Sequence, residues 1–117
     1  MMRKIRRLKK LRKQYFIVIT KQGTAKIDMD DILYFEKDLR KVNVHTTDGI
    51  YSYYGSFKDL HSILDYRFCR CHYSIIVNLS KIISLERYIA YLEGGETITV
   101  SQRKYPYTRG QYLTFLI

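Results

Sequence analysis

The chain has 117 residues, 46% hydrophobic and 15% aromatic, with twelve tyrosines and a single proline; that is enough for one domain with a core, too little for two, and it excludes a disordered chain. The formal charge of +10 comes from 21 basic and 11 acidic residues, but eight of the basic ones precede residue 14, where no acidic residue stands, so the remainder carries only +2. Total charge therefore gives no warrant for a nucleic-acid partner, and the absence of a long apolar run or secretory signal points to a cytoplasmic protein with no membrane partner.

Residues 1–14 read as a basic N-terminal arm or linker remnant, and residues 15–117 as the domain proper. In the arm, Ile5, Leu8 and Leu11 recur every third position among the basic residues, a narrow apolar stripe for a short helix. Its like charges oppose folding alone. A linker remnant, a phosphate- or membrane-contacting arm and a dimerisation stripe are all open readings.

The run from Tyr15 to Thr20 is β-rich, Lys21-Gln22-Gly23 is a turn, and residues 24–27 return beside it. Met29, Asp30 and Asp31 turn into an apolar strand over residues 32–35. The stretch 37–41 is too polar to continue that strand and reads as a loop. Val42, Val44 and Thr46 alternate with Asn43 and His45, as in a half-buried strand. Asp48-Gly49 is a two-residue hairpin signal, with Tyr51 and Tyr53 on the returning strand. Ser56 caps a helix whose apolar positions are Phe57, Leu60, Ile63 and Leu64, ending near Asp65-Tyr66-Arg67.

From Arg67 the sequence R-F-C-R-C-H-Y-S-I-I-V-N crowds aromatic, cationic and polar groups together, then enters the apolar triplet Ile75, Ile76 and Val77. This predicts an exposed basic connection anchored in a core. Residues 79–85 read as a strand with Ser80 and Lys81 at its exposed start, and Glu86-Arg87 as a turn. Residues 88–92 and 97–100 form a hairpin around Glu93-Gly94-Gly95-Glu96. Beyond Tyr105 the pattern is ambiguous: Pro106 can open a helix with Tyr112, Leu113 and Leu116 inward, but Gly110 weakens it. The sum is a mostly β protein of eight to ten short strands with one well-marked helix.

Cys69 and Cys71 share one face of an extended strand, and a bridge across one residue would strain the backbone. They read as free, packed thiols. With His72 and His61 they offer zinc donors, but without a second well-spaced ligand pair, so no metal or other cofactor is expected. Nothing orients a cysteine–histidine pair and no carboxylate pair is visible, so the chain is not expected to be an enzyme and has no catalytic residues. The basic connections carry more: Arg40 and Lys41, then Arg67, Arg70 and His72, then Arg103 and Lys104, the last two following a strand. Arginine takes phosphate or guanine in bidentate geometry, and lysine acts as a mobile point charge. Each of these charges taken alone is equally well a solvated surface group.

The pieces D-I-L-Y-F-E at 31–36, V-N-V-H-T-T-D-G at 42–49, F-C-R-C-H-Y-S-I-I-V-N-L-S-K-I from Phe68, and V-S-Q-R at 100–103 resemble the LytTR-type DNA-binding domain of bacterial response regulators. The likeness runs from about Tyr15 to Tyr105. It implies stacked small antiparallel β-sheets with a short helix, and sequence-specific binding of double-stranded promoter DNA by loops in successive major grooves. It also implies pairing on direct repeats, with a homodimer forming on DNA, and transcription regulation within two-component systems. The family's recognition positions fall on Arg40, Tyr73 and Arg103; Lys41, Arg70, His72, Lys81 and Lys104 are candidate phosphate or supporting groups, and Asn78 a backbone brace. The reading outside this family is an RNA- or anionic-membrane-binding module led by the basic arm.

Overall fold

The computed structural model describes residues 14–117; the apolar stripe at Ile5, Leu8 and Leu11 lies outside them. Among the described residues ten strands form three antiparallel sheets. Strands β1 (Tyr15–Thr20) and β2 (Gly23–Asp28) make a hairpin. The central sheet has five strands, β3 (Ile32–Asp38), β4 (Lys41–Thr46), β5 (Gly49–Tyr54), β6 (Phe68–His72) and β7 (Ile75–Asn78), in the order β5-β4-β3-β7-β6. The third sheet is β10 (Thr97–Thr99), β9 (Ile89–Leu92) and β8 (Ile82–Glu86), in that order. Helix α1 (Phe57–His61) follows β5, and α2 (Tyr105–Leu116) closes the chain.

Side-chain alternation sorts the central sheet into two buried faces. Phe35, Val42, Val44 and Ile76 pack against Phe16, Val18 and Ile27 of the β1–β2 hairpin and against Phe57 and Leu60 of α1. On the other face Tyr34, Cys69, Cys71 and Val77 meet Ala90, Leu92 and Ile98 of the third sheet, with Tyr105, Tyr112 and Phe115 of α2 closing over them. Covering on both sides is why Ile75, Ile76 and Val77 form an unbroken apolar run rather than an alternating one. Each large side chain removed from water there contributes about 1.5–3 kcal/mol.

Several boundaries differ from the sequence expectations. β3 continues to Asp38 and β4 begins at Lys41, paired with it, so the expected polar loop shrinks to Leu39-Arg40. The backbone pairs there although the side chains are in water. Thr46 pairs with Gly49, which centres the next turn on Thr47-Asp48, where the Thr46 hydroxyl accepts from the Asp48 and Gly49 N–H groups at 3.1 Å each. Ser56 caps α1 as expected, its Oγ accepting from the Asp59 N–H, but the helix stops at His61 and Ile63 is 60% exposed. Residues 79–81 form a 3-10 turn, not the start of a strand. α2 does form through Gly110, opened by Pro106 and held by the Tyr112 hydroxyl donating to the Ile82 carbonyl at 3.1 Å. It buries Thr108 and leaves Leu113 and Leu116 exposed, with Tyr112 and Phe115 packed inward.

Two buried polar side chains fix the end of the sheet where β3 begins. The Asn78 amide donates to the Ile32 carbonyl at 2.8 Å and accepts from the Ser80 N–H and hydroxyl at 3.0 and 2.7 Å. It is the expected backbone brace. Arg67, by contrast, is not a free basic group: it is 1% exposed, and its guanidinium bonds Asp65 at 2.9–3.1 Å and Asp30 at 2.5 Å. Burial works against its charge, but the Asp65 hydrogen bonds and the fields of Asp65 and Asp30 more than offset this and raise its pKa.

Candidate nucleic-acid interface

Strand register decides which loops share an end of the central sheet. Glu36 of β3 pairs with Ile75 at the start of β7, so the Leu39-Arg40 turn and the Tyr73-Ser74 turn leave the sheet together. The Lys37 N–H donates to the Ser74 carbonyl at 2.8 Å and ties one turn to the other. The Ser101 N–H donates to the Cys71 carbonyl at 3.0 Å and brings the β10–α2 connection, with Arg103 and Lys104, beside the second turn. The β5–α1 connection joins them: the Gly55 N–H donates to the Arg40 carbonyl at 3.1 Å, and the Lys37 ammonium to the Gly55 carbonyl at 2.5 Å. The backbone segments that carry Arg40, Tyr73 and Arg103 are thereby tethered near one end of the central sheet.

Their neighbours differ in role. Tyr73 is 79% exposed at its turn. The guanidinium of Arg70 donates to the Tyr73 carbonyl at 2.5 Å and stands 5.2 Å over the Phe57 ring, so it is partly spent on holding that turn. His72 is also engaged inward, its Nδ1 accepting from the Ser74 N–H at 3.1 Å. Lys41 and Arg103 are exposed, and Lys104 opens α2, with its N–H donating to Ser101 Oγ at 3.1 Å. Lys81 is the outlier. It follows the far end of β7 and lies 3.6 Å from Glu93. The structure thus brings seven of the eight candidate positions near one end of the central sheet and leaves Lys81 at the other.

Between the first two turns lies a cleft of about 440 Å³, lined by Lys37, Leu39, Phe57, Lys58, Arg70, Tyr73 and Ser74. Leu39, Lys37 and Lys58 escaped the sequence reading. A lone leucine inside a charged stretch was the available signal. Among the described residues neither Arg40 nor Arg103 has a carboxylate within ion-pairing distance, so their charge faces solvent and is open to an anion.

The thiols sit behind this surface. Cys69 and Cys71 are buried and free, and burial pushes the Cys71 thiol up to about 12 and that of Cys69 in the same direction. They are packing groups, poor as nucleophiles. Among the described residues no group of three His, Cys, Asp or Glu side chains is placed to hold a metal, and no helix is long and apolar enough to cross a membrane.

Comparison with known proteins identifies the family and matches the fold. The family model described as the LytTr DNA-binding domain matches residues 22–112. Over 81 residues the chain is 33% identical to accessory gene regulator protein A of Staphylococcus epidermidis and 35% identical to that of Staphylococcus aureus strain N315, covering 66% of this chain and 34% of each relative. The chain thus spans about a third of the length of these curated relatives. In fold it is similar to the LytTr DNA-binding domain of a putative methyl-accepting/DNA response regulator from Bacillus cereus, with a TM-score of 0.75, 23% identity, and coverage of 86% of this chain and 97% of that one. Sequence motifs, sheet architecture and family match agree: the chain belongs to the LytTr DNA-binding domain family.

Proposed function

We propose that this protein is a sequence-specific regulator of transcription that binds double-stranded promoter DNA through loops in the major groove. Arg40, Tyr73 and Arg103 meet base edges, Lys41 and Lys104 meet phosphates, and Arg70 and His72 hold the Tyr73 turn in place. Lys81, distant and paired, is left out of this set. Copies occupy direct repeats as a homodimer on DNA, in the cytoplasm. The observation that carries the reading is the pair of backbone hydrogen bonds, Lys37 to Ser74 and Ser101 to Cys71, which hold three cation- or tyrosine-bearing loops side by side. Such loops fit a groove about 12 Å wide.

The test is Arg103→Ala against a duplex selected from a random pool and against random duplex. A bidentate base contact predicts a loss of about 1–3 kcal/mol of discrimination, seen as weaker binding to the selected duplex alone. Equal losses on both, measured by fluorescence anisotropy, refute base reading by Arg103 and leave a phosphate contact.

A further inference from the structure

The Leu39-Arg40 turn contains an anomaly that charge does not explain. Among the described residues Leu39 is the most exposed of the large hydrophobic ones, at 90%, on a turn otherwise made of Asp38, Arg40 and Lys41. Its φ is +56°, in the left-handed region. That region costs a leucine roughly 1–2 kcal/mol and glycine almost nothing. A side chain that is solvated and strained contributes nothing to packing, so folding alone gives no reason for it. Tyr73 is the other exposed apolar residue lining the same cleft, and the Lys37–Ser74 backbone bond fixes the two turns together. The two side chains therefore give the cleft an exposed apolar lining next to the turn that carries Arg40.

We propose that Leu39, with Tyr73 lining the same cleft, is a specificity-determining residue that contacts the 5-methyl group of a thymine next to the base met by Arg40. In the major groove thymine is the base that offers an apolar group, and aliphatic side chains are the groups that read it. The inference rests on the DNA-binding reading above and adds a base identity to it.

The experiment uses the full chain. Duplexes are selected from a random pool, and each thymine of the recovered site is replaced in turn by deoxyuridine, which lacks only the methyl group. The parent protein is expected to bind one or two of these duplexes about four-fold more weakly, the effect of one buried methyl-sized group. In Leu39→Ala and Leu39→Gly the same replacement is expected to have no effect. Leu39→Gly also relieves the backbone, so its thermal midpoint should equal or exceed the parent's while the thymine preference disappears; a merely structural leucine would not separate the two. Methyl sensitivity that persists in both variants overturns the proposal, as does a recovered site indifferent to every thymine methyl. Failure to recover any enriched sequence overturns the underlying DNA-reading proposal instead.

Discussion

The two ends of the central sheet use arginine in opposite ways. At the end where β3 starts, acidic residues gather on the turns, at Asp30, Asp31, Asp48 and Asp65, and Arg67 is buried among them with two carboxylate partners. At the other end Arg40 stands at the tip of a two-residue turn with its charge in water. The first arginine is part of the framework, because a desolvated guanidinium must be satisfied by carboxylates to be tolerated at all. The second costs the fold nothing and is free to meet an external anion. Counting charges in the sequence treats the two alike; the number and position of carboxylate partners separates them.

This contrast can be broken by substitution. The largest effect is expected for Arg67→Ala, which strips Asp65 and Asp30 of their partner. Urea unfolding should show a loss of about 3 kcal/mol, the low end for a broken buried pair because the Asp30 side chain keeps 62% of its exposure. A loss below about 1 kcal/mol would show that Arg67 is dispensable to the framework. Next comes Arg40→Ala, expected to leave the unfolding midpoint unchanged while discrimination between selected and random duplex falls by about 1–3 kcal/mol. A stability loss without a binding loss would reverse the assignment of the two ends. The smallest effect belongs to Lys81→Ala. Its pair with the half-exposed Glu93 is worth at most about 0.5 kcal/mol, and the salt dependence of DNA binding should keep its slope. A slope reduced by about 0.9 would place Lys81 against a phosphate after all.

Much of the framework was legible because it is written locally. The turn before Gly23, which the structure narrows to Lys21-Gln22, the Ser56 cap and the Gly94-Gly95 turn, whose φ values near +90° demand glycine, need only neighbouring residues to be recognised. What escaped depended on partners distant in sequence. Arg67 resembles a surface cation until Asp30, 37 residues away, is brought to it. Residues 37–41 resemble a loop because their side chains are polar, although β3 and β4, both inside the sheet, stay paired through the backbone out to Asp38 and Lys41 at its solvent-exposed end. α2 looked weak from Gly110 alone and is secured by the Tyr112 contact with β8. The candidate recognition residues came from a family pattern, whereas the closeness of their loops came from two backbone hydrogen bonds that no sequence motif displays.

Those two tethers have a consequence for whatever duplex the domain reads. Neighbouring strands repeat about every 4.8 Å, and contact points mounted on them behave as marks on a ruler. B-DNA advances about 3.4 Å and turns about 35° for each added base pair. On the proposed reading, one nucleotide inserted inside the footprint would carry the last mark's base out of both reach and angle. Evolutionary drift among the operators would therefore be absorbed in the spacers separating adjacent copies, leaving the length of each footprint constant.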